Sequence, residues 1–590
     1  MTNTVFKRNK ANAGGAVYLN VDRRATLGNI RLSFTNVNFT DCVATTDGSA
    51  ILIGKTHKPQ SKPLTYAFYA SLKKVNVENC VSHKLKYRFG SFCLTLHSGL
   101  IILDEFNWTN TRQNAESAVY IGTTGGNTNV TIVRSSFVGG KSNQSAFVGV
   151  QIFGKQRGIV TVKDTTMTNN TEGALDITPK CKIRLENVTV ASCKYGLQLS
   201  KRWLSQETDP FRVNISIASC RFKHNVYDLS LNISNPRSVF LKVIDSIMTG
   251  RPNHGDKKGY AIGLFVPPLK NTNSSSVAAI ELDRVTFHSR PSSIFVLYFK
   301  GNKTLTIRRT VFRYCTALSR QHLNFGKNTY IYETSTGAVS ILSIPDKPWK
   351  LGCVQQDDIN NTHPLWRYES QVSIEDTLFQ ENAGFFAGAV YISNGNTTFR
   401  NCSFQNNFSI RKRGQVYSAY GTGRVEFKHC SFSSRQNNKV IDNNNLKNAA
   451  FFYSESEGPI VFRNTTMIST IPERKSHYVL EIFSGGYVDI DYNTTIQCSK
   501  GSMLTFENAS HFAYTEKRKR FCRVNVTVIR YACKLCSSGY YSLETGKANG
   551  FSVNTSFECH PCPLGATCMR NDINIAAKAN FWGYEMRNSH

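Results

Sequence analysis

The chain has 590 residues, and its 71 lysines and arginines against 40 aspartates and glutamates give a formal net charge of +31. With 40% hydrophobic and 11% aromatic residues it is no disordered polyelectrolyte, and no run of eighteen apolar residues supplies a membrane-spanning helix. The charge calls for an anionic neighbour, anionic glycans or matrix or membrane headgroups, with nucleic acid not expected because the sequence has no nucleic-acid motif.

From its first residues the chain repeats one phrase. Counted from a mostly aromatic anchor, apolar residues stand seven and five places before, a small residue often two before, and Asn or Cys often three after. The anchors are Phe6, Phe39, Val77, Trp108, Phe137, Met167, Val190, Phe222, Met248, Phe287, Phe312, Phe379, Phe404, Phe432, Met467 and Thr495. They lie roughly 23 to 39 residues apart, except across one wide gap from Phe312 to Phe379. Pairs such as Val160/Val162, Ile183/Leu185, Ile215/Ile217 and Leu305/Ile307 alternate at period two, the mark of a strand with one buried face. A second short strand, introduced by small residues, follows at 14–19, 48–52, 173–175, 337–339 and 388–392. No segment sustains the i, i+3, i+4, i+7 spacing of an amphipathic helix.

A unit of about thirty residues has too little apolar surface to fold alone, so it must stack on its neighbours. Strands stacked about 4.8 Å apart give an all-β parallel β-helix of about 16 coils, a rod of roughly 75 Å. It is expected over 1–510, with a loop insertion at 343–370 and a cysteine-rich module over 511–590. The Asn positions fit turns where identical residues stack or where left-handed backbone is needed.

Seventeen cysteines and nineteen Asn-X-Ser/Thr sequons point to an oxidising, secretory compartment. The sequons include Asn38, Asn107, Asn187, Asn214, Asn302, Asn401, Asn464 and Asn525. Met1 to Lys10 contains no apolar signal core and already lies inside a repeat, so the sequence is expected to be a fragment. Cys42, Cys80, Cys193, Cys315 and Cys498 stand three after their anchors; Cys220, Cys402 and Cys430 stand two before theirs. This sets Cys42 against Cys80 and Cys402 against Cys430, at a spacing within the range of a disulfide. The preferred reading is a ladder of small buried side chains, because Thr, Ser and Val fill the same slots elsewhere. Cys522, Cys533, Cys536, Cys559, Cys562 and Cys568 crowd the tail. Paired C-x-x-C elements suit zinc, but six cysteines, Cys-Pro contexts and the sequons at Asn525 and Asn554 favour disulfides, with the pairing left open. Arg411-Lys412-Arg413 and Lys517-Arg518-Lys519-Arg520 are basic clusters, read as solvated loops ahead of glycosaminoglycan contacts.

Phe6-x-x-Asn9 before Gly14-Gly15-Ala16-Val17, and Phe379-x-x-Asn382 before Gly388-Ala389-Val390, resemble the FxxN and GGA(I/L/V) motifs of polymorphic outer-membrane proteins. More broadly they resemble the right-handed parallel β-helix repeats (pectin-lyase-like solenoids) of large cell-surface proteins. The tail, with its C-x-x-C-x-x-G-Y-Y element at Cys533 to Tyr541, resembles the ephrin-receptor- and growth-factor-receptor-like modules of animal surface proteins. In invertebrate β-helix proteins such a tail, ending in Asn580-Phe581-Trp582-Gly583, often precedes a membrane anchor. The resemblance therefore implies attachment to a membrane only through a segment beyond this chain. A bacterial autotransporter fits less well, since no C-terminal barrel strands appear.

The expected function is a non-catalytic extracellular or cell-surface scaffold or adhesion protein, without cofactor or metal, that meets glycans, matrix or other surface proteins. The alternative is a polysaccharide-degrading lyase or glycoside hydrolase acting on acidic glycans. Its candidate acids are Asp357 and Asp358 in the wide gap, with His254 and Asp256 as a second choice.

Overall fold

Each period-two phrase is a strand, parallel to and in register with its counterpart in the next repeat. In the computed structural model Val160 and Val162 stand against Ile183 and Leu185, and these against Ile215 and Ile217. Anchor pairs with anchor: Phe137 with Met167, Met167 with Val190, and Val190 with Phe222. The structure describes residues 1–19, 30–45, 48–53, 67–82, 91–96, 98–109, 117–123, 127–139, 148–154, 158–178, 180–199, 211–233, 236–250, 259–266, 277–290, 294–298, 302–317, 336–343, 370–393, 395–409, 414–419, 423–434, 450–456, 458–469, 477–484, 487–517, 520–537, 539–553, 557–568 and 575–579. Among these residues there is no helix. The expected insertion at 343–370, apart from its two end residues, lies outside them, and with it Asp357 and Asp358, as do His254, Asp256 and Arg411 to Arg413.

The chain forms two compact units, Met1–Asn302 and Lys303–His590. In the first, the anchor strands build one parallel sheet and the second short strands build another. The latter runs from Val17–Leu19 and Ile51–Ile53 through Phe92–Leu96, Ser117–Thr123, Val148–Gly154, Gly173–Ile177, Tyr195–Leu199 and Tyr227–Asn232 to Tyr260–Val266 and Ile294–Tyr298. Val119, Val150, Leu175, Leu197, Leu229, Ile262 and Ile294 share one column of this second sheet, all buried. In the second unit the sheets repeat, for example Ser370–Glu375 on Asn396–Arg400 and Val390–Ser393 on Val416–Ala419. Its core is a stack of phenylalanines at rung spacing: ring centroids of Phe312, Phe379, Phe404 and Phe432 lie 5.0, 4.9 and 4.5 Å apart and are nearly coplanar in orientation.

The corners explain the rest of the phrase. Three residues before the anchor the backbone turns left-handed at a non-glycine residue: Arg134, Asp164, Asn187, Ser219, Asp245 and Arg284 in the first unit, Arg309, Asp376, Asn401, His429 and Asn464 in the second. A second such residue follows two after the anchor, as at Asp41, Asn79, Ser192, His224, Tyr314 and Asn406. Each costs about 1–2 kcal/mol. The cost is offset because the ladder of hydrogen bonds runs on through the corner. The left-handed N–H bonds forward, Asp164 to Glu186 O at 3.0 Å and Ser219 to Ile244 O at 3.1 Å. Two residues later the N–H bonds back, Thr166 to Ser135 O at 3.0 Å and Arg221 to Val188 O at 2.8 Å. The residue between them points inward, which is why it is small. Where it is polar, its hydroxyl or thiol donates to the carbonyl two residues before: Ser135 to Val133 at 2.8 Å, Thr165 to Lys163 at 2.7 Å, Cys220 to Ala218 at 3.2 Å.

The last repeat departs from the expected frame. Met467 pairs with Ile496, not with Thr495. Val488 and Ile490 keep the offsets that suggested Thr495, but one extra residue enters the corner. The turn over 491–494 closes with Thr494 N–H to Asp491 O at 3.1 Å, and no left-handed residue precedes the buried Thr494. Cys498, expected in the rod's cysteine ladder, is instead bonded to Cys533. Beyond this rung the pairing turns antiparallel. The hairpin of Ser502–Lys517 and Arg520–Leu535 lays its second strand on His477–Ser484, and Thr545–Asn549 pairs with Thr495–Lys500. These antiparallel strands cover parallel edges that would otherwise offer unpaired backbone groups. Of the basic cluster, Lys517 and Arg520 pair at the end of the hairpin, and Arg518 and Lys519 lie outside the described residues.

Candidate functional site: side-chain ladders on the parallel sheets

In-register stacking places like side chains at rung spacing on the outward faces. On the first unit, Asn107 Nδ2 donates to Asn76 Oδ1 at 3.0 Å, and Asn76 Nδ2 to Asn38 Oδ1 at 2.9 Å. On its second sheet Tyr195, Tyr227 and Tyr260 share one column, with ring centroids 5.0 and 4.6 Å apart. All three are partly exposed. Lys194 Nζ stands 5.4 Å from the Tyr195 ring centre and 3.1 Å from Glu172 Oε2. Three residues along the same strands runs a polar column, Gln151, Asp176, Gln198 and Ser230. The Tyr260 hydroxyl lies 3.1 Å from Ser230 Oγ. Its ring lies over Gly263, where a Cβ would fall 2.3 Å from a ring carbon; a side chain there would displace the ring. Burial raises the phenols of Tyr195 and Tyr227 above their ordinary value, so both remain hydroxyl donors at neutral pH. The Tyr195 and Tyr227 rings stack and the Tyr260 ring is tilted by 51° to Tyr227, so the column offers a ligand mainly ring edges and hydroxyls.

The second unit carries a corresponding column, Tyr391, Tyr417, Tyr453 and Glu481. The hydroxyls of Tyr417 and Tyr453 both donate to Glu455, at 2.7 and 2.8 Å. At its end Arg530 donates to Glu481 at 3.0 Å and stands 4.9 Å from the centre of the Phe483 ring.

Inside the first unit lies a charged cluster. Arg290 and Asp228 are both fully buried and form an ion pair. Arg290 also donates to Asn225 O at 2.7 Å, and Asn225 Nδ2 to Asp228 Oδ1 at 2.9 Å. Burial pushes the Asp228 carboxyl up to about 6, against the opposing pull of Arg290 and Asn225. Asn225 and Arg290 occupy the slot three after their anchors, two rungs apart. The cluster is enclosed, so it organises the stack and meets no solute.

The sequons separate by position. Asn187, Asn401 and Asn464 are exposed left-handed corner residues, Asn107 and Asn214 are exposed on strands, and Asn38 is half-buried. The side chains of Asn302 and Asn525 lie outside the described residues. Another sequon, Asn407, is buried: its Nδ2 donates to Phe379 O at 3.0 Å and Gln415 Oε1 at 2.9 Å, and its Oδ1 accepts from Asn382. In the tail Cys536 bonds Cys559 and Cys562 bonds Cys568, so each C-x-x-C divides its members between different bridges. That leaves no thiolate pair for a zinc knuckle among them. The Cys522 side chain lies outside the described residues.

Sequence reasoning missed both tyrosine columns and the Arg290–Asp228 pair. The column was readable: Tyr195, Tyr227 and Tyr260 each open a second-sheet strand. The ion pair had no signal, since a lone arginine in a corner slot looks like any surface charge.

The features define an all-β protein of stacked parallel strands with a disulfide-bonded C-terminal region. No protein-family model matches the chain, and no curated protein does. Among the described residues no helix is long and apolar enough to cross a membrane, and no cluster of His, Cys, Asp or Glu could hold a metal ion.

Proposed function

We propose that the chain is a non-catalytic extracellular or cell-surface adhesion scaffold, a glycosylated right-handed parallel β-helix of about 16 coils that contacts the glycans of a matrix or a neighbouring cell. The observation that carries this reading is the Tyr195–Tyr227–Tyr260 column beside the Gln151–Asp176–Gln198–Ser230 column. Phenol edges, amides and hydroxyls repeated in one direction match a polymer that presents C–H edges and hydroxyls in the same way. The net charge of +31 favours acidic glycans, and the three bridges suit an oxidising compartment. Disulfides at the C-terminal end would join the rod to a stalk or anchor.

The test is binding of the full chain to a panel of immobilised acidic and neutral polysaccharides, with chain length of the glycan followed in parallel. Salt-sensitive binding that falls at least tenfold in Tyr195→Ala/Tyr227→Ala, with the glycan left intact, is expected. Shortening of the glycan would establish an enzyme in place of a scaffold. Equal binding by the double variant would remove the tyrosine column from the contact.

A further inference from the structure

Two pairs of thiols stand on consecutive rungs, each pair sharing its own corner slot. Cys42 and Cys80 each follow a left-handed residue, Asp41 and Asn79, in rungs held in register by Phe39 against Val77. Cys402 and Cys430 follow Asn401 and His429 at the other corner, in rungs held by Phe404 against Phe432. All four are buried. Each sulfur leans toward the rung before it: Cys42 to Phe6 O at 3.7 Å, Cys80 to Phe39 O at 3.7 Å, Cys402 to Ile374 O at 3.2 Å and Cys430 to Phe399 O at 3.6 Å. The later thiol of each pair therefore reaches back toward the earlier, and the two side chains hydrogen-bond. Rung spacing near 4.8 Å falls inside the Cα range of a disulfide.

We infer that Cys42–Cys80 and Cys402–Cys430 are inter-rung disulfides in protein that has folded in an oxidising compartment, formed by exchange with a protein or small-molecule disulfide. One cysteine thiolate attacks the partner disulfide and releases one partner thiol. The second cysteine then attacks the mixed disulfide and releases the other. Two cysteine thiols become one S–S bond, one partner disulfide becomes two thiols, and protons are conserved. The exchange belongs to the folding chain, because the finished stack encloses all four sulfurs.

The same slots contain internal controls. Cys193 lies between Asn170 and Asn225, and Cys220 between Val188 and Ser246, so neither has a thiol in the slot on the rung before or after. The experiment takes full chain secreted without reductant, verified to carry Cys498–Cys533, Cys536–Cys559 and Cys562–Cys568, and alkylates it in denaturant before peptide mass spectrometry. Linked Cys42–Cys80 and Cys402–Cys430 peptides are expected, with Cys193 and Cys220 alkylated. Alkylation of the four paired cysteines in most molecules would overturn the inference. So would Cys193 or Cys220 in a bridge, since slot adjacency would then not select the pairs. No ligand enters the readout, so failure here is separable from failure of the adhesion reading.

Discussion

Arg290→Ala would remove one half of the buried ion pair and leave the Asp228 carboxylate enclosed without its counter-charge. Breaking a buried pair in this way costs about 3–5 kcal/mol. Solenoids unfold piecewise, so the loss is better read locally than as one midpoint. Hydrogen-exchange mass spectrometry over 211–250 and 277–290 should show exchange faster by roughly two to three and a half orders of magnitude at pH 7.5, at about 1.4 kcal/mol per tenfold. The pH dependence has a definite sign. Asp228 already titrates near 6 against an ordinary 3.8, and loss of the guanidinium raises it further. Its folded form then binds a proton more tightly than the unfolded chain, so the penalty is full above the folded value and fades as pH falls toward 4. Asp228→Asn with Arg290→Met keeps an acceptor for Asn225 and should return to within about 2 kcal/mol of the parent protein. Exchange in Arg290→Ala within about threefold of the parent (~0.65 kcal/mol), or a deficit that does not shrink on acidification, would refute the reasoning.

Phe404→Ala opens a gap between the Phe379 and Phe432 rings and should cost about 3–5 kcal/mol, seen as local deprotection of the flanking rungs. At the left-handed corner Ser219→Val should destabilise by about 1–2 kcal/mol while Ser219→Gly stays near neutral, measured by hydrogen exchange of the flanking rungs in the two variants. Gly250→Ala would set a Cβ 1.8 Å from Ser289 O and should lower local stability by about 1–3 kcal/mol; hydrogen exchange over 236–250 and 277–290 equal to the parent's would contradict the packing there. When the chain is expressed through a secretory route, glycopeptide mapping should find Asn187, Asn401 and Asn464 occupied and Asn407 bare in folded material.

The Phe404 rung was legible almost entirely. Its period-two strand, its anchor, Cys402 two before and Asn407 three after each record a local rule that recurs in a neighbouring rung, the cysteine at Cys430 and the asparagine at Asn382. The 488–496 rung was not. One inserted residue left both halves of the phrase readable while moving the anchor from Thr495 to Ile496. A period-two pattern tolerates such a slip because each half keeps its own alternation. The site was less legible than the fold. Tyrosines spaced about thirty residues apart gain meaning only when register sets them in one column.

What the sequence by itself determined is the rung: alternation fixes which strand face is buried, and small, polar and Asn/Cys slots fix two corners, because these follow from side-chain size and backbone reach within a few residues. Tertiary structure decided what depends on residues far apart. It brought Arg290 to Asp228, split the tail's C-x-x-C elements among three bridges, and laid the 520–535 strand antiparallel on His477–Ser484. Those partners are selected by stacking and by the need to cover a sheet edge. Neither leaves a trace in local periodicity.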